Sequence, residues 1–414
     1  MRDGREPIGN DRVSGVPVPA PLERERLHMR IGFVGCGYVA DLYAATLPNH
    51  PELELIGVFD RAENRRRAFS AHYGVPEYPS LAAMLEDPSL DIVVNLVNPA
   101  HHFPVSQAAL LAGKHVYVEK PLATELAQAR HLVELAAERG LGLASAPASV
   151  LGEPAQTAWQ ALRAGAVGTP LLAYAELDDG YVLGEHYHEW VSASGAPWPY
   201  MDEFRTGCTI EHAAYALDWL TTFFGPVTEL TAFAASLAPN PHFAAMGETP
   251  APDFSVACLR FGPSETAVDG LVARVTNSIV APRRHSLQII GDEGVLIVQS
   301  VWDYASPVVV RRGQSGYPEI YPPVRPGPSA LSRVGANNMD FARGVAELSA
   351  ELRGRRRSRL GVDRALHVLE VTLEIARANK GAISRPTTTF TPPKPMSWAA
   401  GEPPRPWAET ASTR

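Results

Sequence analysis

From Arg30 to about Ala146 the chain alternates short apolar or β-branched runs with stretches of helical spacing. The apolar runs predict strands at Arg30–Val34, Leu53–Phe59, Ile92–Val97, His115–Val118 and Leu141–Ser145. Helices fit between them at Tyr38–Leu47, Arg61–His72, Ser80–Glu86, Phe103–Ala112 and Thr124–Arg139. Strand–helix alternation of this kind builds a doubly wound parallel sheet. After Gly152 the pattern changes. A helix at Gln156–Ala164 leads into longer alternating segments at Leu171–Leu177, Thr228–Ala234, Phe254–Phe261, Gly270–Asn277, Ser286–Gly291 and Val295–Gln299. Their hairpin-like breaks predict an open, mostly antiparallel sheet. Helices at Asn338–Leu352 and Val362–Ala378 follow. The expected fold is α/β, an N-terminal doubly wound parallel sheet plus a C-terminal α+β domain with an open, mostly antiparallel sheet. Residues 1–28 read as a disordered extension, 29–150 as the first domain and 151–384 as the second. Residues 385–414 read as a Pro-rich tail that lies on the surface or reaches a neighbour.

The 414 residues suffice for two full cores. A net charge of −8 argues against nucleic acid or an anionic membrane as main partner. Three cysteines, Cys36, Cys208 and Cys258, are too few and scattered for a disulfide framework or a zinc site. No run approaches a membrane span in length. The first 28 residues carry five Arg and five acidic residues without an apolar core, so they do not read as a signal peptide. A cytoplasmic protein fits these properties.

Residues 31–40, Ile-Gly-Phe-Val-Gly-Cys-Gly-Tyr-Val-Ala, run from an apolar strand into a GxGxxA turn, and Asp60 ends the next strand. Gly35 permits the tight turn, and Gly37 lets the backbone approach a pyrophosphate. Ala40 keeps the following helix close to the sheet, so the amides around Tyr38 and Val39 face the phosphates. A carboxylate at Asp60 accepts both ribose hydroxyls. This pattern predicts a nicotinamide dinucleotide. Asp60 repels a 2′-phosphate and favours NAD, whereas Arg61, Arg65 and Arg66 are placed to receive that phosphate and leave NADP as the second choice.

The string Gly113–Pro121 sets Glu119 and Lys120 at the carboxyl end of a parallel strand, the ligand-binding edge of such sheets. A lysine there can exchange a proton with a carbinol oxygen if burial and a second cation lower its pKa. It can also simply cap the strand end. Further on, Asp178–Tyr215 interleaves carboxylates with aromatics, Tyr187 and Trp198 among them, in the way proteins hold sugars. The bland alternative is a structural or interface loop. His186, His188 and Glu189 suggest a metal only superficially, since no fourth ligand is evident, and none is expected.

Taken together, GxGxxA, the acid after the second strand, His102 ahead of Ala-Gly-Lys-His-Val, and Glu-Lys-Pro resemble the Gfo/Idh/MocA oxidoreductase family over roughly residues 29–382. The stretch Ile289–Leu296 and the closing helix at Gly361–Gly381 share the likeness. The resemblance implies a Rossmann-type first domain and an open sheet that binds substrate and packs subunits into a homodimer or homotetramer. It implies hydride transfer between NAD or NADP and a carbinol carbon of a sugar, glycoside, nucleotide-sugar or cyclitol. By motif, Lys120 would be the catalytic lysine, Asn98, Pro99 and His102 would line the nicotinamide pocket, and Glu119 would touch the ribose or nicotinamide.

The family pattern of Gly, Asp four on, His four after and Asp three later reads here as Gly207, Glu211, Tyr215 and Asp218. These last three share one helix stripe. Tyr215 would then relay the proton in place of the histidine, with its pKa lowered by Lys120, while Glu211 and Asp218 orient the substrate. Alternatively Tyr215 packs inward, or His212 takes the proton role. Two rival functions follow from the same resemblance. One is a redox-neutral enzyme holding NAD tightly for elimination, epimerisation or glycoside cleavage. The other is a non-catalytic dinucleotide sensor.

Overall fold

The computed structural model describes residues 28–313, 316–325, 338–378 and 383–401. Most of the expected N-terminal extension therefore lies outside the described residues. The first half contains strands β1 (Met29–Val34), β2 (Leu53–Phe59), β3 (Ile92–Asn95), β4 (His115–Val118) and β5 (Leu143–Ser145). Between them run α1 (Tyr38–Thr46), α2 (Glu63–Tyr73), α3 (Leu81–Glu86), α4 (His102–Leu111) and α5 (Leu126–Glu138). All five strands are parallel, in the order β2-β1-β3-β4-β5. β3 and β4 are buried at every position, because helices cover both faces. The order reverses between β1 and β3, so Val34 and Asn95 flank the crevice where such sheets bind ligands. β3 ends two residues short of the predicted Val97. There Asn95 turns inward and donates from Nδ2 to the His102 carbonyl and to Ser106 Oγ at 3.0 and 2.9 Å.

The second half forms an eight-stranded sheet from β6 (Pro170–Asp178), β7 (Val227–Ala235), β8 (Phe254–Phe261), β9 (Leu271–Ser278), β10 (Leu287–Gly291), β11 (Gly294–Val298), β12 (Val308–Arg312) and β13 (Pro318–Ile320). Its order is β13-β12-β11-β10-β6-β9-β8-β7, antiparallel except for the β6–β9 pair. β12 and β13 extend the sheet beyond the strands expected from the pattern. Ala173, Ala175, Leu177, Ala273, Val275, Leu287, Ile289, Leu296 and Val298 form the buried face. The opposite face stays open, with Leu172, Phe233 and Ile320 exposed.

The remaining helices are α6 (Glu153–Arg163), α7 (Tyr200–Thr206), α8 (Cys208–Phe224), α9 (Pro241–Met246), α10 (Arg343–Leu352) and α11 (Val362–Ala376). α8 is apolar on nearly all sides and accordingly buried along its length. α10 and α11 return to the first sheet and bind the halves together. Leu348 and Leu352 fill the space beside Gly142, and Leu366, Leu369 and Leu373 join the core of Leu132, Ala136 and Leu143. α10 begins five residues later than predicted. Asn338 takes a positive φ of 46°, and Asp340 is committed to His50 and Arg343 instead of to a helix. Residues 383–401 lie across this half: Thr387 and Thr388 bind Glu370, the Pro395 carbonyl accepts from Arg359, and Trp398 packs under the Arg325 guanidinium.

Candidate active site

The dinucleotide turn follows directly from β1. Gly35 has φ +102°, and a Cβ there would lie 2.7 Å from the Leu96 carbonyl, so only glycine fits. A Cβ on Gly37 would instead meet nothing within 4 Å. Gly37 thus opens free space in front of the α1 N-terminus, where Tyr38 and Val39 begin the helix, and the room suits a pyrophosphate. Asp60 accepts hydrogen bonds from the Cys36 amide at 2.8 Å and the Ala62 amide at 2.7 Å. The carboxylate is therefore held rigidly beside the turn, with lone pairs left over for ribose hydroxyls. Arg66 is occupied by Glu77 and by the Asp60 carbonyl, while Arg61 is exposed.

A cleft of about 910 Å³, counted with its open mouth, runs from this turn to the second half. Its side next to that turn is formed by Gly37, Tyr38, Val39, Asn98, Pro99 and His102. Its far end gathers Glu119 and Lys120 after β4, Asp202 and Glu203 on α7, and Glu211 and Tyr215 on α8. Trp198 and Trp302 supply flat apolar walls. The two sides meet because α8 is aimed at the carboxyl end of β4. Gly207 makes this possible: at φ +88° it lets the chain turn between α7 and α8. His102 braces the junction, its Nδ1 2.6 Å from the Pro121 carbonyl and its Nε2 2.8 Å from the Val97 carbonyl.

Lys120 Nζ donates to Glu211 in a largely buried ion pair. Burial alone would lower the ammonium's pKa, but the Glu211 carboxylate outweighs it and holds the group well above the ordinary lysine range. Among the described residues lining the cleft, Lys120 is the only Lys or Arg. Tyr215 is likewise pushed up by burial, and the lowering by Lys120 does not offset this. Both groups are thus protonated near neutral pH. Glu119 is raised by burial and accepts from the Tyr43 hydroxyl at 2.8 Å and the Lys120 amide at 2.8 Å. Glu203 is pushed up to about 8, first by burial and then by Glu211 beside it. Asp202 accepts a hydrogen bond from Asn98.

Three residues nominated from the sequence lie elsewhere. His212 points from α8 toward Asp179, 3.9 Å away, and toward Trp302 instead of lining the cleft. Burial lowers its pKa to about 4. Asp218, seven residues after Glu211, is buried against Arg364 of α11. Tyr187 belongs to an aromatic cluster with Trp198 and Phe204, and its hydroxyl meets His242 Nε2 at 2.8 Å. Sequence reasoning gave Asp202 and Glu203 no individual role, only a place in a stretch suited to holding sugars, and did not name Trp302. The first two were visible within the polar, aromatic stretch before Gly207, but Trp302 carried no local signal. Among the described residues no three His, Cys, Asp or Glu side chains gather to hold a metal, and no helix is long and apolar enough to cross a membrane.

Residues 29–146 match the NAD-binding Rossmann-fold domain of the Gfo/Idh/MocA oxidoreductases, and residues 155–297 match the Gfo/Idh/MocA C-terminal domain. The uncharacterized oxidoreductase YdgJ of Escherichia coli (strain K12) is 29% identical over 214 residues, covering 51% of this chain and 58% of that protein. The dTDP-3,4-didehydro-2,6-dideoxy-alpha-D-glucose 3-reductase of Streptomyces violaceoruber is 36% identical over 121 residues, 28% of this chain and 34% of that protein. The chain thus matches only 34% to 58% of the length of these relatives. The crystal structure of aldose-aldose oxidoreductase from Caulobacter crescentus has a TM-score of 0.69 and 19% identity, covering 86% of this chain and 99% of that one. That is a likeness of fold.

Proposed function

We propose that this chain, which belongs to the Gfo/Idh/MocA oxidoreductase family, moves hydride between a nicotinamide dinucleotide and a carbinol carbon of a sugar, nucleotide-sugar, glycoside or cyclitol. One observation carries the reading. The cleft that starts at the dinucleotide turn ends at Lys120, Glu211 and Tyr215, between the indole walls of Trp198 and Trp302. The sugar class draws support from the presence of a dTDP-sugar reductase and an aldose-aldose oxidoreductase among the similar proteins.

A bound nicotinamide supplies the hydride chemistry, and the protein supplies position and charge. Asp60 would hold the ribose hydroxyls. Its fixed carboxylate would meet a 2′-phosphate unfavourably, so NAD is preferred to NADP. Asn98, Pro99, His102 and Glu119 would flank the nicotinamide end. The Lys120 ammonium would donate to the substrate oxygen and stabilise the negative charge that develops on it. The Tyr215 hydroxyl would relay the proton at that oxygen, and Glu211 would hold Lys120 and a substrate hydroxyl. The open sheet, with Leu172, Phe233 and Ile320 exposed, would pack against a second copy to form a homo-oligomer.

The test begins with calorimetry for NAD and NADP. A panel of sugars, cyclitols and nucleotide-sugars is then followed at the NADH absorbance band. NADH forming with one class supports the reading. Bound NAD(H) with altered substrate and no net NADH points to the redox-neutral rival. Dinucleotide binding without any turnover points to the sensor, and no dinucleotide binding overturns the reading at its first step.

A further inference from the structure

We propose that Glu203 is the group that holds the proton exchanged with the substrate's carbinol oxygen. The proposal rests on the hydride-transfer reading of the same cleft. Glu203 stands on α7 and lines the far end of the cleft together with Lys120, Glu211 and Tyr215. The groups nominated from the sequence are poorly suited to accept a proton near neutral pH. Lys120 is locked as an ammonium by Glu211, and Tyr215 is held as a neutral phenol by burial. His212 faces Asp179 away from the cleft wall. Asp202, the neighbouring carboxylate, already accepts from Asn98.

The electrostatic surroundings of Glu203 come from four elements. α8 presents Glu211 and Tyr215, the end of β4 presents Lys120 and Glu119, the end of β6 presents Asp179, and α7 itself presents Asp202. His102 lines the same cleft from α4. One ammonium can neutralise one carboxylate, and Lys120 is paired with Glu211. A second carboxylate beside that pair is left without a cation, in a partly dehydrated wall, and keeps its proton until the pH rises. The direction agrees with its pKa, pushed up to about 8 by burial and by Glu211. A general acid–base poised near the working pH has the most favourable proton-transfer balance.

In the oxidative direction a bound nicotinamide would supply the acceptor for the hydride, with its electron pair, that leaves the carbinol carbon. The O–H proton passes to the Glu203 carboxylate, directly or across the Tyr215 hydroxyl, and the C=O bond forms. Lys120 donates to that oxygen throughout and keeps its own proton. In the reductive direction the Glu203 carboxylic acid returns the proton to the nascent alkoxide. Oxidation therefore rises with pH as Glu203 ionises, and reduction falls.

The test uses the full-length protein with Glu203→Gln and Glu203→Asp. Carbon-13 NMR of carboxyl-labelled glutamate in the NADH-loaded protein should show one resonance titrating near the pH named above, absent from Glu203→Gln. Persistence of that resonance in the variant, or its absence from the wild type, overturns the proposal. With any sugar that the wild type oxidises, Glu203→Gln should lower kcat by about 10²- to 10⁴-fold and abolish the rising limb of the pH profile. KM and NADH affinity should stay within about twofold. Glu203→Asp should keep a rising limb at a displaced pH. Unchanged kcat and pH profile in Glu203→Gln overturn the proposal alone. A wild type that turns over no sugar in either direction refutes the reading of the cleft, and the proposal with it.

Discussion

Replacing Glu211 by Gln keeps the shape of α8 but removes the charge that faces Lys120. The pair is in contact and largely buried, with side-chain exposures of 15% for Lys120 and 5% for Glu211. At an effective dielectric of about 20, two unit charges about 4 Å apart attract by about 4 kcal/mol. That corresponds to about three pKa units for the ammonium. Burial, which lowers the lysine's pKa, remains in place after the substitution. Lys120 should therefore fall from well above the ordinary lysine range back toward it. Part of the loss returns, because Glu203 is relieved of its repulsion from Glu211, ionises at lower pH and faces the ammonium itself. The expected net fall is at least about one unit and at most about three. Trace acylation of the protein across a pH series, with Lys120 read by mass spectrometry, measures it without any substrate. In Glu211→Gln the Lys120 labelling curve should move to lower pH by that amount, while a surface lysine such as Lys394 stays put. A shift of Lys120 below about half a unit would refute the argument that Glu211 sets its charge.

Other outcomes follow from the same geometry. Asp218→Ala leaves the buried Arg364 guanidinium without its carboxylate, so urea unfolding should show a loss of about 3–5 kcal/mol with NADH affinity unchanged; a loss below about 1 kcal/mol with abolished turnover would place Asp218 at the substrate after all. Asp60→Asn keeps an acceptor beside the Cys36 amide but removes the negative charge, so the affinity ratio of NADP to NAD, measured by calorimetry, should rise about tenfold or more. His212 is buried as a neutral imidazole with a pKa of about 4 against an ordinary 6.5. Its contribution to stability is fully present above pH 6.5 and is lost as the pH falls toward 4, because the unfolded chain binds the proton first. His212→Asn should accordingly flatten the pH dependence of the unfolding free energy across that window, by up to about 1.4 kcal/mol per pH unit. An unchanged slope would show that His212 does not titrate with unfolding.

The legible parts of this protein are the ones that the chain writes locally. The dinucleotide turn sits between one strand's end and one helix's start, so its glycines, its helix amides and Asp60 are close in sequence as well as in space. Lys120 and Glu119 follow β4 directly, and a residue just past the carboxyl end of a parallel strand lies on the ligand edge whatever the remainder of the chain does. The short, mostly apolar runs of β3 and β4 mark strands that are buried on both faces. β12 and the edge strand β13 escaped because they are short and set among Pro, Gly and charged residues. The late start of α10 escaped because Asp340 bonds His50, 290 residues away, a partner that no local signal shows.

The partners of the charged groups were not legible. The stripe Glu211–Tyr215–Asp218 shows which residues share one side of a helix, and nothing in it says what that side meets. Glu211 meets Lys120, 91 residues away, while Asp218 meets Arg364, 146 residues away, on the far side of the helix packing. One carboxylate thus belongs to the cleft and the other to the core. The same holds for the protonation states. Sequence reasoning supplied a lysine and a tyrosine and a route to lower pKa values for both, through burial and a second cation at Lys120 and through Lys120 at Tyr215. The fold set a carboxylate against Lys120 and buried Tyr215, which raised both. Sequence by itself determined the element order, the cofactor turn and the strand-end lysine, since backbone periodicity and turn stereochemistry act over a few residues. Tertiary structure alone decided which charges face each other and which of them lose water, since Coulomb energies and desolvation depend on distances that only the packed chain defines.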